Sequence, residues 1–213
     1  MIYVFSGKPY TGKSFVANRF YSLLQQDQQK QWNVTAQQLS FSDYLLHEFA
    51  KKNDFDVVRY KTDYEYRDDL FSAFNKFSRV LRQNDTMWQF DALDWLISTV
   101  QGGLTREKGQ RRAFIIDDLQ QRFQLRALQR LTEQYAAGGD VRVEMFAVQL
   151  TASDEARKGR GWKSGRVASC AEQDFDLIPA KSWNKTFDNS GSNEDVVLVD
   201  NYLAQSILRT VTK

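Results

Sequence analysis

The sequence predicts an α/β protein with a mainly parallel sheet and helices on both faces. Three observations carry this. Short apolar runs of strand length alternate with longer stretches of helical period. The first such run, "IYVF", passes at once through a glycine-bearing turn into a helical pattern. A later run, "AFII", ends on two aspartates, where a parallel strand would end.

Taken in order, "IYVFS" (2–6) reads as a buried strand closed at Gly7. From Lys13 to about Gln26, Phe15, Val16, Phe20, Leu23 and Leu24 recur at helical spacing and form one apolar stripe. The polar "QQDQQKQ" interrupts it, and "NVTAQQLS" (33–40) supplies a second strand. Ser42 or Asp43 is the expected cap of the helix "YLLHEFAKK". Tyr60 to Val100 is mostly helical, in two amphipathic stretches broken at "RQND", and "QGGLTREKGQ" (101–110) reads as a turn-rich loop.

"RRAFIIDD" (111–118) is the third strand, followed by a helix over roughly 120–135 that ends at "AAGGD". "VRVEMFAVQL" (141–150) is the fourth strand, and "RKGRGWKSGR" (157–166) is a basic, glycine-rich segment. A short last strand in "WNKTFDNSG" and a helix around 201–210 close the pattern. The chain is read as one domain over 1–213, with a helical acceptor-side insertion at 60–100 and a lid at 153–174.

Composition narrows the chemistry. With 42% apolar and 26% charged residues the chain can bury a core, and 29 basic against 27 acidic residues leave a net charge of +2. That balance offers a polyanion nothing in bulk, so nucleic acid is not an expected partner. The single cysteine, Cys170, excludes an internal disulfide, and the single histidine, His47, excludes most His-based nucleophile and metal schemes. His47, Trp88, Phe90 and Trp95 read first as packed residues. No apolar run reaches the roughly 20 residues of a membrane span, and no signal segment opens the chain. The expected place is therefore the cytoplasm, with no membrane partner.

The chemistry-bearing stretch is Gly7-Lys8-Pro9-Tyr10-Thr11-Gly12-Lys13-Ser14, a full match to G-x-x-x-x-G-K-[ST] between a strand and a helix. Glycines let such a loop wrap so that backbone N–H groups point inward, and the helix start adds its positive dipole end. Nucleotide contacts are expected from Gly7, Lys8, Thr11, Gly12, Lys13, Ser14 and Phe15. Lys13 would reach the β- and γ-phosphates of ATP, and the Ser14 hydroxyl would hold Mg2+. At the end of the third strand either Asp117 or Asp118 suits the metal, the other serving as a helix cap or orienting the attacking oxygen; alternation along a strand leaves the choice open. In the basic segment Arg160 is the expected mobile cation over the transferring phosphoryl group. Arg67, Arg79, Arg82 and Arg122 are candidates to hold an anionic acceptor.

"FSGKPYTGKSFV", "LSFSDYLLHEFAKKNDFD", "IIDD" and "RGW" together resemble the animal phosphomevalonate kinases and the phage-type deoxynucleoside monophosphate kinases, within the nucleoside monophosphate kinase-like fold. The resemblance runs over most of the chain in blocks and implies ATP, Mg2+ and a phosphate-bearing acceptor. It matches Lys8, Lys13 and Ser14 to the family's loop, Arg160 to its flap arginine and Asp118 to the aspartate after its third strand. Two positions depart from it. Gln120 and Gln121 follow Asp118 where the family commonly places an arginine, the nearest here being Arg122, and Ser14 stands where close members often carry aspartate.

The leading expectation is a kinase that moves the γ-phosphoryl of ATP to a (deoxy)nucleoside monophosphate, with phosphomevalonate the second acceptor. An ATP-binding regulatory module whose acceptor site has decayed is the alternative, and a nucleic-acid-handling ATPase ranks last.

Overall fold

The computed structural model describes residues 1–27, 34–84, 87–105, 111–119, 121–138, 142–162, 170–191 and 201–205. Five strands, β1 (Ile2–Ser6), β2 (Val34–Leu39), β3 (Arg111–Leu119), β4 (Met145–Thr151) and β5 (Lys185–Asp188), form one sheet in the order β2-β3-β1-β4-β5. Every neighbouring pair is parallel. The helices are α1 (Lys13–Asp27), α2 (Phe41–Asn53), α3 (Val57–Thr62), α4 (Tyr64–Asn84), α5 (Trp88–Thr105), α6 (Arg122–Gly138), α7 (Asp154–Gly159) and α8 (Cys170–Asp176), and 201–205 is also helical. No helix among the described residues is long and apolar enough to cross a membrane.

The chain forms two compact units, Met1–Leu39 with Gln101–Lys213, and Ser40–Val100. In the first, β1 lies between β3 and β4, so all five of its residues are buried. Alternate side chains point to opposite faces. On one face Tyr3, Phe5, Ala113, Ile115, Val148 and Leu150 pack against Val16, Ala17, Phe20 and Leu24 of α1. Phe20 meets Tyr3 edge-on at 4.8 Å between ring centres. The other face carries Ile2, Val4, Phe114 and Ile116, which are equally buried. A strand flanked by strands and covered on both sides has no polar face to show, which is why "IYVF" and "AFII" read as unbroken apolar runs.

Several boundaries differ from the sequence expectation. Residues 101–105 continue α5 rather than starting a loop, and Gly103 meets a packing need there. A Cβ on Gly103 would stand 2.5 Å from the Phe114 ring, so only glycine lets the helix approach β3 this closely. β4 begins at Met145 rather than 141; just before it Glu144 accepts a hydrogen bond from the Ile2 amide. α7 covers the start of the basic segment, and Arg157 is buried rather than solvated. Residues 163–169 of the expected lid, Gly165 among them, lie outside the described residues, as do 206–210 of the expected closing helix.

The second unit is helical from Phe41 through Val100, with short breaks. Its first helix is capped by Ser40, not Ser42 or Asp43: the Ser40 side chain accepts from the Ser42 amide at 3.0 Å, while Asp43 accepts from the Ser40 amide at 3.1 Å. Asp43 is thus the far half of a capping box that begins two residues earlier than the apolar pattern implies. Asp54 ends the helix in the left-handed region, a conformation that aspartate tolerates. The core is aromatic: Phe49 contacts Phe55, Phe74 and Phe77 at 5.1, 5.6 and 5.3 Å. His47 packs beside Trp95 at 5.4 Å, whereas Phe90 is exposed, correcting its reading as core.

Candidate functional site

The carboxyl ends of parallel strands present loops together, and the crevice between β1 and β3 is where the connections change direction: β1 leads to β2 across β3, and β3 leads to β4 across β1. The glycine-bearing loop 7–12 lies at the end of β1 and runs directly into α1. Its first half is a tight turn. Thr11 donates to the Lys8 carbonyl from both its amide, at 3.3 Å, and its hydroxyl, at 2.9 Å. Pro9 occupies the second position of this turn and Tyr10, at φ 65°, the third, which needs a positive φ. Gly12 also has positive φ, 85°, and a Cβ there would collide with the Asn189 amide nitrogen. A Cβ on Gly7 would collide with the Leu150 carbonyl oxygen and stand 2.6 Å from Thr11 Oγ1. Both glycines are therefore required by close approach, the second also by backbone conformation.

The loop is held from outside through its carbonyls. Pro9 O accepts from Arg157 Nε at 3.1 Å, Tyr10 O from Arg160 Nη1 at 3.2 Å, and Thr11 O from Asn189 Nδ2 at 2.8 Å. Arg160 Nη2 also donates to Asn189 O at 2.6 Å. Lys8 Nζ pairs with Asp176 Oδ1 at 2.9 Å. Lys13 and Ser14 form the first turn of α1, with Ser14 exposed, and Phe15 beside them is exposed. The Val16 amide closes the turn onto Gly12 O at 3.1 Å.

Opposite the loop, β3 carries an irregularity that bears on its aspartates. Val4 pairs with Ile116 but Ser6 pairs with Leu119, so β3 has one more residue than β1 over this interval. Asp117 and Asp118 fall on the bulge, where strict alternation no longer holds. Asp117 is buried at 8% exposure and accepts from Gln38 Nε2 at 3.4 Å, while Asp118 is half-buried. Ser6 Oγ fastens the bulge by donating to Leu119 O at 2.5 Å. A buried carboxylate beside an amide donor and a serine hydroxyl on a helix's first turn are hard oxygen donors, the kind that Mg2+ takes.

The expected acceptor arginines divide. Arg67, Arg79 and Arg82 all lie on α4 in the second unit, where Arg79 is exposed; the side chains of Arg67 and Arg82 lie outside the described residues. Arg122 opens α6 and is engaged: its amide and Nε donate to the Asp174 carboxylate at 2.7 and 2.8 Å. Arg160, expected on a mobile flap, has its guanidinium on the Tyr10 and Asn189 carbonyls. Gln121 precedes α6 and is half-buried, and Gln120 lies outside the described residues. Sequence reading missed Arg157, Asn189, Asp174 and Asp176, which act on residues as many as 178 positions away. Position at a strand end is their only local signal, and only Asn189, just after β5, carries it.

Neither a family model nor a curated relative matches the sequence. Among solved structures, the chain is similar to Chaetomium thermophilum Kti12 in complex with ADP-AlF3, at TM-score 0.53 and 14% identity, over 97% of this chain and 99% of that one. It is also similar to a Sinorhizobium meliloti gluconokinase, at TM-score 0.47 and 12% identity over 98% and 96% of the two chains. A Deinococcus radiodurans tunicamycin resistance protein matches at TM-score 0.44 and 10% identity over 95% of each chain. The last two, below 0.5, carry no argument. The parallel order β2-β3-β1-β4-β5, the loop after β1 and the likeness to Kti12 together establish an α/β fold of the P-loop type.

Proposed function

We propose that the protein is a cytoplasmic, ATP- and Mg2+-dependent phosphotransferase that moves the γ-phosphoryl group to a small phosphorylated acceptor, first a (deoxy)nucleoside monophosphate and second phosphomevalonate. The observation that carries this reading is the loop 7–12: a strand-to-helix loop whose carbonyls at 9, 10 and 11 are each taken by outside donors, with Lys13 at the helix start. Backbone amides and a lysine at that place suit the β- and γ-phosphates. The ADP-AlF3 in the Kti12 structure supports a nucleotide on this fold.

Each side chain has a role. Gly7, Thr11, Gly12 and Phe15 shape the loop and its exit, Lys8 and Lys13 supply positive charge, and Ser14 with Asp117 would hold Mg2+. The metal would neutralise phosphate charge as the bond to the leaving oxygen breaks. Asp118 would orient the acceptor oxygen. Arg160, already against the loop, would add charge near the transferring group, and Arg67, Arg79, Arg82 and Arg122 are the acceptor's candidate cations. Phosphoryl transfer is mostly positioning and charge stabilisation, so no covalent nucleophile is required. That suits a chain with one cysteine and one histidine.

A second reading, an ATP-binding regulatory module without kinase activity, is favoured by one feature. Arg122 is already bound to Asp174 and glutamines follow Asp118, so the acceptor side has less open charge than a phosphate calls for. ADP release measured across nucleoside monophosphates and phosphomevalonate separates the readings. The kinase predicts one acceptor that raises ADP release well above the rate with water; no such acceptor leaves the module. In either case Lys13→Ala should abolish ATP binding, and retained binding would refute the loop's assignment.

A further inference from the structure

We propose that Asn189, together with Arg157, is a positioning residue for the phosphate loop: from outside, the two hold its carbonyl oxygens and thereby aim its amide hydrogens at the nucleotide. The role rests on the nucleotide-binding reading above and adds residues that neither the motif nor the resemblance names.

A peptide unit is planar and trans, so its C=O and N–H point in opposite directions. Holding Thr11 O from outside turns the Gly12 N–H inward, and holding Pro9 O does the same for the Tyr10 N–H. Asn189 Nδ2 provides the first hold at 2.8 Å and Arg157 Nε the second at 3.1 Å.

Neither donor is an ordinary surface group. Asn189 is 8% exposed and its backbone is anchored: its main-chain N–H donates to Thr151 O at 2.7 Å and its main-chain carbonyl accepts from Arg160 Nη2 at 2.6 Å. Its side-chain Nδ2 fills the space that a Cβ on Gly12 would take, so the second glycine of the motif and this asparagine fit each other. Arg157 is 7% exposed, with its guanidinium 4.2 Å from the centre of the Trp162 ring and 3.4 Å from Asp154. The loop needs such support because Tyr10, a residue with a Cβ, sits at φ 65°, and this conformation persists only where the surroundings over-determine it.

The test is calorimetry with a non-hydrolysable ATP analogue on the full chain. Asn189→Ala should weaken binding about tenfold, the effect of losing one buried hydrogen bond that orients the loop. Asn189→Asp, the same shape without a donor, should weaken it at least as much at neutral pH, where its carboxylate faces the Thr11 carbonyl. As pH falls and that carboxyl gains a proton it can donate again, so the variant's affinity should recover relative to wild type at each pH. A residue with a purely structural role would show no such recovery. Should Asn189→Ala not fold, the isosteric aspartate variant carries the test. Unchanged affinity in a folded Asn189 variant beside a binding wild type overturns this role alone; a wild type that binds nothing removes the phosphate-site reading as well, and the role with it.

Discussion

The sheet unit and the helical unit are held together over different sequence distances. In the first, the contacts that shape the loop join residues far apart: Ser6 to Leu119, Arg157 to Pro9, Asn189 to Thr11. In the second, the aromatic core joins Phe49 to Phe55, Phe74 and Phe77, all within a few turns of neighbouring helices. Long-range contacts fix atoms from several directions at once. Contacts of shorter sequence range, gathered on the one buried ring of Phe49, leave a segment able to open without dismantling the rest. The comparison teaches that geometric precision in this chain belongs to the parallel sheet and its strand-end loops.

Core deletions break or sharpen the contrast most. Phe20→Ala removes a ring 1% exposed and in contact with Tyr3 and Phe5, and should cost about 3–5 kcal/mol in urea denaturation, with the loss spread over the whole sheet unit. Phe77→Ala, at a half-buried ring, should cost about 1–2 kcal/mol, with faster hydrogen exchange confined to 40–100. Equal costs, or faster exchange in β1 and β3 caused by Phe77→Ala, would erase the distinction.

A smaller effect is expected at the cap of α2. Ser40→Ala removes the side-chain acceptor of the Ser42 amide and should cost about 1 kcal/mol. Exchange at the first turn of α2 should quicken while ATP-analogue affinity stays as in wild type, and a loss of affinity would show that the loop depends on this cap. The smallest effect is pH-dependent and sits on α7. The Glu155 carboxyl is held below its usual range by its own backbone amide first and by the Ser153 side chain second. Its contribution is therefore present above the unfolded pKa and lost as pH falls through the folded one. Protection at 154–159, taken as exchange relative to the intrinsic rate at each pH, should fall on acidification in wild type and less so in Glu155→Gln; identical profiles would remove the claim.

How much could be read in advance follows from the range of each cause. The loop 7–14 was legible because its demands are local: glycine at two close approaches, a lysine and serine at a helix start, a strand before it. The central strands β1 and β3 were legible because burial on both sides leaves a continuous apolar run. The choice between Asp117 and Asp118 was not, since a bulge in β3 suspends the alternation on which such a choice depends. Gly102 and Gly103 read as a loop because the Phe114 ring that calls for glycine at 103 lies on a strand. Arg160 read as a mobile cation because its carbonyl partners, Tyr10 and Asn189, are distant in sequence.

Sequence by itself determined the fold class, the order of strands and helices along the chain and the place of the glycine-bearing strand-to-helix loop, because periodicity and glycine placement act over a few residues. Tertiary structure alone decided which donors hold the loop, where α2 begins relative to its apolar pattern, and that Arg122 is engaged by Asp174. Those outcomes depend on hydrogen bonds that form only after chain folding brings their partners within about 3 Å, a distance no local pattern encodes.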